Sequence, residues 1–383
     1  MERLYNFLPG FMRSFYEEQF LNYPLLIKVA YLGIIISFLI TLTCYMVIFI
    51  RRVRQAWMQK RSEQWKSEID QALTSSIISF SSEDYADGDI NQVINNIKKL
   101  PLQKYVVRQL VISELIFLHK NFSGKINSLI TTIYTMLRLE EHSKRKLKSW
   151  RWYIKAEGIE ELSELGIKSV AEELLLYVNS KNITLRMQAQ SGYLQLSTTD
   201  PFVFLDYTDQ NLLLWHQINL MDVLNRRKDI PLPVFSRWFN SANDSIVIFC
   251  IRLVVRFHQL ESVKDLLKLI NHSSEKIRQE MISAIGELSL VDSERHLTIH
   301  YQNETRNCQL EIIKTVGKIS SGDEFGFLKR MVLDSDFSIR FEAAKAIKRH
   351  GESGETILCM LLGTIPEENK SVVLHMLDSK LSA

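Results

Sequence analysis

The side chains of this 383-residue chain best suited to metal chemistry are His296, His300 and Glu304, spaced i, i+4, i+8. On one helical face, two imidazoles and a carboxylate can hold zinc. The repeat in which they lie argues otherwise. His300 shares a column with Leu269, Met331 and Leu362, an inward apolar position, so it reads as a core histidine. Glu304 aligns with Ser273 and Ser335 in the turn before the next helix, which breaks the shared face. Other chemistry is equally thin. Gly124-Lys125-Ile126 lacks the earlier glycine and the following Ser/Thr of a phosphate-binding loop. There is no G-x-S-x-G, and no serine or cysteine has a triad context. Glu172 and Glu173 are adjacent on a helix and point to different faces, as solvated charges do. Cys44, Cys250, Cys308 and Cys359 are far apart without a C-x-x-C, which reads as reduced thiols. We expect no catalytic residue, no metal and no cofactor.

The stretch KRKLKSWRWYIK (144–155) carries more functional signal. Six basic residues interleave with Trp150, Trp152 and Tyr153. One reading is a helix with its aromatics packed inward and its charges solvated. The other is a docking patch for an acidic partner or anionic headgroups, formed by Lys144, Arg145, Lys146, Lys148, Trp150, Arg151 and Trp152. Charge distribution argues against nucleic acid. The net charge is +3, and residues 1–66 hold nine Lys/Arg against four Glu, so the remaining 38 basic and 40 acidic residues nearly balance. A nucleic-acid binder needs a broad cationic face. Asn-x-Ser/Thr occurs at Asn121, Asn182, Asn243, Asn271 and Asn303, and four of these fall in turns that open helices, where they serve as caps.

The elements that must position these residues are helical. Gly (14) and Pro (7) are scarce and 46% of residues are apolar, which favours a large helical core over many short strands. In the C-terminal half, Ile246, Ile277, Cys308 and Ile339 recur 31 residues apart. Three residues upstream of each stands a capping side chain: Asn243, Ser274, Thr305 and Asp336. Downstream run the columns Ile251, Ile282, Ile313, Ala344 and Val254, Ile285, Val316, Ile347, which stay near one helical face. A second helix supplies Leu266, Leu297, Leu328, Cys359 and then Ile270, Tyr301, Val332, Gly363. A helix pair of this kind cannot bury its apolar face alone, so stacking is expected.

Segments such as DSDFSIRFEAAKAIKRHG (334–351) and SSEKIRQEMISAIGEL (273–288) resemble HEAT repeats of the armadillo-type class. Arg278 and Arg340 match that family's arginine, whereas Gln309 and Val247 depart from it. The resemblance is good over 243–363, fair over 182–196 and weak over 101–118. It implies a right-handed α-solenoid of helix pairs that binds other proteins. The His-Glu dyads of some HEAT-like di-iron proteins are absent, since only Glu141-His142 occurs.

From Val29 to Ile50 the chain has 22 residues without a charge, spanning roughly 33 Å as a helix, enough for a bilayer core. Six basic residues follow within 51–66, so the positive-inside rule puts the N-terminus outside and the bulk in the cytoplasm. Arg51, Arg52, Arg54 and Trp57 would then contact lipid, with Trp65 at the same headgroup level. The expected fold class is all-α, one N-terminal transmembrane helix followed by the solenoid. Its segments are an extracytoplasmic 1–24, in which Phe7 to Leu21 read either as a short interfacial helix or as plain flanking sequence, a span at 25–50 and a basic juxtamembrane helix at 51–78. A loop (79–91) and first helix complete 79–100. Degenerate repeats occupy 101–240, and HEAT repeats with a C-terminal cap occupy 241–383. The expected function is a membrane-tethered scaffold or adaptor without catalysis, in a bacterial inner membrane, with a membrane-associated protein partner. Rival expectations are a lyase-type enzyme subunit acting on a large tetrapyrrole-like ligand, or an accessory subunit of a polysaccharide-synthesis or signalling complex. Besides the 144–155 patch, the inner face formed by one helix of each unit is the other expected recognition surface.

Overall fold

The computed structural model describes residues 24–80, 87–227 and 231–378. Every regular element among them is helical: nineteen α-helices with short 3-10 turns between some of them, and no strand. The chain divides into two compact units, one ending at Leu139 and the other beginning at Glu140.

The first unit is organised on α1 (Leu25–Phe80), a single helix that continues the apolar stretch without a break into the basic segment. Val29 to Ile50 are exposed throughout, and the most apolar window of the helix has none of its residues buried by protein. This helix is long and apolar enough to cross a membrane. Its polar side chains are satisfied locally: Thr41 and Thr43 donate their hydroxyls to Ser37 O (2.8 Å) and Leu39 O (2.9 Å). Among the described residues of α1, Ile69 and Leu73 are the buried apolar ones. Its neighbours are α2 (Asp87–Lys98) and α3 (Tyr105–Asn121), and α4 (Lys125–Met136) lies on α3.

Of the loop expected over 79–91, residues 79–80 and 87–91 are helical instead, and the rest lie outside the described residues. Helix α1 runs to Phe80, and α2 starts at Asp87. Ile90, Val93, Ile94 and Ile97 fall at i, i+3, i+4, i+7, the last three buried. The proposed interfacial residues between Phe7 and Leu21 lie outside the described residues.

Glu114 on α3 faces Asp70 and Lys66 of α1. Burial, then the Asp70 carboxylate, raise its pKa, while Lys66 lowers it. The folded unit therefore holds this proton more tightly than the unfolded chain does. The resulting stability is full below the ordinary glutamate pKa and is lost as pH rises through the raised value. In detergent, the change in melting temperature from about pH 5 to about pH 8 is expected to be more unfavourable in the wild type than in Glu114→Gln, a comparison that cancels the opposite contribution of His216, whose pKa burial lowers. An unchanged difference in circular dichroism melts would remove Glu114 as its source.

In the second unit, α5 (Leu139–Leu147) and α6 (Trp152–Glu164) form a hairpin. Helix α6 packs on α8 (Ile183–Leu196), and α8 on α10 (Leu214–Arg226). Further along, α11 (Asp244–Arg256), α13 (Glu275–Glu287), α15 (Arg306–Ile319), α17 (Phe337–Lys348) and α19 (Glu367–Leu377) each pack on the next. Between α10 and α11, where the sequence period slips, the link is polar. The backbone N–H of Leu212 donates to Ser245 Oγ (2.8 Å), and Arg252 donates to Gln217 Oε1 (2.8 Å).

The inward columns of these helices are buried as their spacing requires. Ile251, Ile282, Ile313 and Ala344, then Val254, Ile285, Val316 and Ile347, are fully inaccessible. The column of second helices holds at Leu266, Leu297 and Leu328 but slips by one residue in the last unit, where Leu358 is buried and Cys359 exposed. The second helix also starts earlier in that unit: α18 (Glu352–Leu362) begins directly after Gly351 (φ 63°), earlier in the repeat than α12 (Val263–Lys268), α14 (Glu294–His300) and α16 (Phe325–Met331), although His258, Ser289 and Ser320 at the same repeat position also have positive φ.

Caps also depart from expectation. Asn182, Asn243 and Asp336 accept from backbone N–H groups of their own helices, but Ser274 and Thr305 do not. Thr305 instead donates to Glu275 Oε1 (2.9 Å). Each of several caps is held from two residues upstream: Ser180, Ser241, His272 and Asp334 accept the N–H of Asn182, Asn243, Ser274 and Asp336. Four residues past the cap, Arg186, Arg278 and Arg340 each donate to a carbonyl of the preceding turn (2.6, 2.8 and 2.8 Å). Gln217 and Gln309 make the same kind of bond, to Leu212 O and Tyr301 O. An arginine-to-glutamine change in this column thus keeps the tie and loses only the charge.

Candidate docking surfaces

The basic-aromatic stretch folds as the end of the α5–α6 hairpin, and the structure turns its side chains out in an unexpected order. Trp150 is 85% exposed, and Trp152 and Tyr153 are about half exposed, so the aromatics do not pack inward. Arg151 lays its guanidinium over the Trp150 ring at 4.9 Å, and Trp152 meets Tyr153 edge-on at 5.9 Å. Lys148, Arg151 and Arg145 are exposed, and Lys144 reaches Glu140 at 3.5 Å.

Lys146 does not belong to this surface. It is 5% exposed, and its ammonium lies 2.6 Å from Glu161 Oε1 and 3.0 Å from Glu157 Oε1. Ser143 donates to the other Glu161 oxygen at 2.6 Å. The helices meet closely here because residue 158 is glycine: a Cβ there would stand 2.7 Å from Lys146 Cβ. Every lysine of the stretch looks alike in sequence, and only the hairpin's packing separates the inward one from the rest.

At the membrane end, Arg51, Arg52, Arg54 and Trp57 are exposed on α1, Trp57 at 76%. Trp65 differs, being half-buried within the first unit between Arg61 and Lys104, each 5.3 Å from its ring.

The histidine pair of the second unit has no third ligand at hand. The His296 and His300 rings are 4.8 Å apart, and the Glu304 carboxylate is engaged by Arg278 at 3.0 Å. Among the described residues no group of three His, Cys, Asp or Glu side chains is arranged for a metal. Burial pushes the Cys250 thiol well up and the Cys308 thiol up, which favours their protonated, poorly nucleophilic form.

One surface was not singled out from sequence. Three clefts open in the second unit: one among residues 205–245 with Ile248 and Lys276, one between α6, α8 and α10, and one between α11 and α13. The largest, about 920 Å³, is lined by Asp206, Arg237, Trp238, Asn243, Ile248 and Lys276 among others. Its floor is held rigidly. Arg237 lies 3.8 Å over the Trp238 ring and 2.7 Å from Asp200, while Trp238 Nε1 donates to Asp206 at 2.6 Å. Beyond it, Arg252 forks onto Glu280 (2.7 and 2.8 Å), tying α11 to α13. Leu213, Leu214, Trp215 (62%) and Ile218 are exposed where α10 begins. Leu212 alone of the run LLLW is buried. Four consecutive apolar residues opening a helix exceed what one inward face can bury, and that was the signal available in sequence.

Comparisons with known proteins add little here. No family model matches the chain, and no curated protein matches it. Similar solved structures include two engineered proteins, both 13–14% identical. One covers 82% of this chain and 83% of its own at a TM-score of 0.32, and the other 62% and 94% at 0.19. A computationally designed self-assembling cyclic homooligomer is 13% identical over 83% of this chain and 89% of its own, at 0.12. At these scores none bears on how the helices are arranged.

Proposed function

We propose that the chain is a membrane-tethered scaffold without intrinsic catalysis. In this reading α1 crosses a bacterial inner membrane with its N-terminus outside. The helix pairs form a right-handed HEAT-like solenoid in the cytoplasm. A membrane-associated protein partner is held along α8, α10, α11 and α13. The observation that carries the reading is the exposed group Leu213, Leu214, Trp215 and Ile218, which in the chain directly follows Leu212 and the Asn211 that lines the Arg237–Trp238 cleft. Large rigid aromatic and arginine side chains set in a polar rim are what protein hot spots are made of. Tethering supports it, because holding the solenoid at a membrane raises its effective concentration beside a partner there. The six basic residues after the apolar stretch support the orientation.

The test places a photo-crosslinking residue at Ile218 in the full chain in native membranes, and a control at Leu176, exposed at 78% elsewhere in the second unit. A discrete adduct at 218, absent at 176 and lost with Trp215→Glu, is expected. Identical patterns at both positions would remove this face as the partner site. A C-terminal reporter active only outside the cytoplasm is expected to stay silent, and activity from it would reverse the orientation.

A further inference from the structure

We infer that the end of the α5–α6 hairpin is a second membrane contact, inserting Trp150 into the headgroup zone of an anionic bilayer. Residues 142–156 contain six Lys/Arg and no Asp or Glu. With Lys146 buried against Glu161, the charges left at the tip are Lys148 and Arg151, flanked by Arg145, Lys144 and Lys155. Lys155 packs its ammonium over Tyr177 at 4.7 Å, and Tyr177 donates to Leu147 O at 3.0 Å, which braces the hairpin behind the tip.

The form of the tip favours a bilayer over a protein. A hot-spot tryptophan draws its energy from a surround that excludes water. Trp150 instead stands 85% exposed, with a guanidinium rather than an apolar side chain against its ring. A bilayer interface requires no such surround. It accepts an amphipathic ring at headgroup depth, and anionic lipids attract each nearby cation. Trp152 and Tyr153, half exposed and edge-on to each other, extend the same belt of aromatics. The inference rests on the tethered reading only for what brings a bilayer within reach. It does not depend on the partner face.

The full chain is reconstituted in nanodiscs of phosphatidylcholine, alone or with one-third phosphatidylglycerol, with plain or brominated acyl chains. The Trp150 signal is the fluorescence of wild type minus that of Trp150→Phe. Bromine is expected to quench it at least about twofold in anionic discs and little in zwitterionic ones. The double variant Lys148→Gln, Arg151→Gln is expected to lower quenching in anionic discs to the zwitterionic level, with an unchanged melt because both side chains are exposed. No quenching in either disc, or equal quenching in both, would overturn the inference. So would a blue shift of Trp150 on adding poly-glutamate to the detergent-solubilised chain without disc quenching, which would assign the tip to an acidic protein segment. Co-elution of chain and disc reports the tether separately. A chain that did not co-elute would overturn the tethered reading alone, and quenching would then be read on preformed discs added to it.

Discussion

Lys146→Ala is expected to destabilise the second unit by about 3–5 kcal/mol, because it strands a buried carboxylate. Glu161 is 2% exposed, and its two oxygens are met by Lys146 and Ser143, each at 2.6 Å. Removing the ammonium leaves that carboxylate buried with Ser143 as its remaining named partner. Lys146→Met combined with Glu161→Leu is expected to recover most of the loss, since replacing both members of a buried pair by apolar residues is often nearly neutral. Lys148→Ala, two residues on and exposed, is expected to stay within about 0.5 kcal/mol of wild type. Urea unfolding of the full chain in detergent, with hydrogen exchange in α5 and α6, measures all three. A loss below about 1 kcal/mol for Lys146→Ala would show that Glu161 does not depend on this ion pair. Any charge reversal meant to probe docking must therefore spare Lys146, or it will report on folding.

Ile313→Ala is expected to cost about 2–5 kcal/mol, as a fully buried side chain on α15 wedged between α13 and α17. In stacked helix pairs the damage should appear first as faster hydrogen exchange between about 277 and 340. The last unit provides a sharper test of register. Leu358→Ala is expected to cost as much as Ile313→Ala, whereas Cys359→Ala should be nearly silent. The 31-residue spacing alone assigns the inward position to Cys359. A large loss from Cys359→Ala with none from Leu358→Ala would restore that assignment and contradict the burial of Leu358.

Periodicity determined what it could reach. Apolar columns such as Ile251, Ile282 and Ile313 were legible because a helix must bury one face, and each face recurs at fixed spacing. The apolar run Val29–Ile50 was legible because length and lack of charge are properties of composition. Capping was half legible. Asn243 and Asp336 close their helices, but Thr305 turns to Glu275, a partner 30 residues away that local sequence does not reveal.

What tertiary structure alone decided is which of several equivalent side chains faces in. Lys146 and Lys148 differ in sequence by two positions, yet Gly158 lets α6 approach one of them and bury it on Glu161. Trp150 and Trp65 are both tryptophans among basic residues. One is left bare at a helix reversal, and the other is half-buried under the lysine that caps α3. The Arg237–Trp238 cleft joins residues from 200 to 276 that no motif connects. Local spacing governs which face of a helix is apolar. Which polar or aromatic group is buried depends on what packs against that face, and that is a property of contacts distant in sequence.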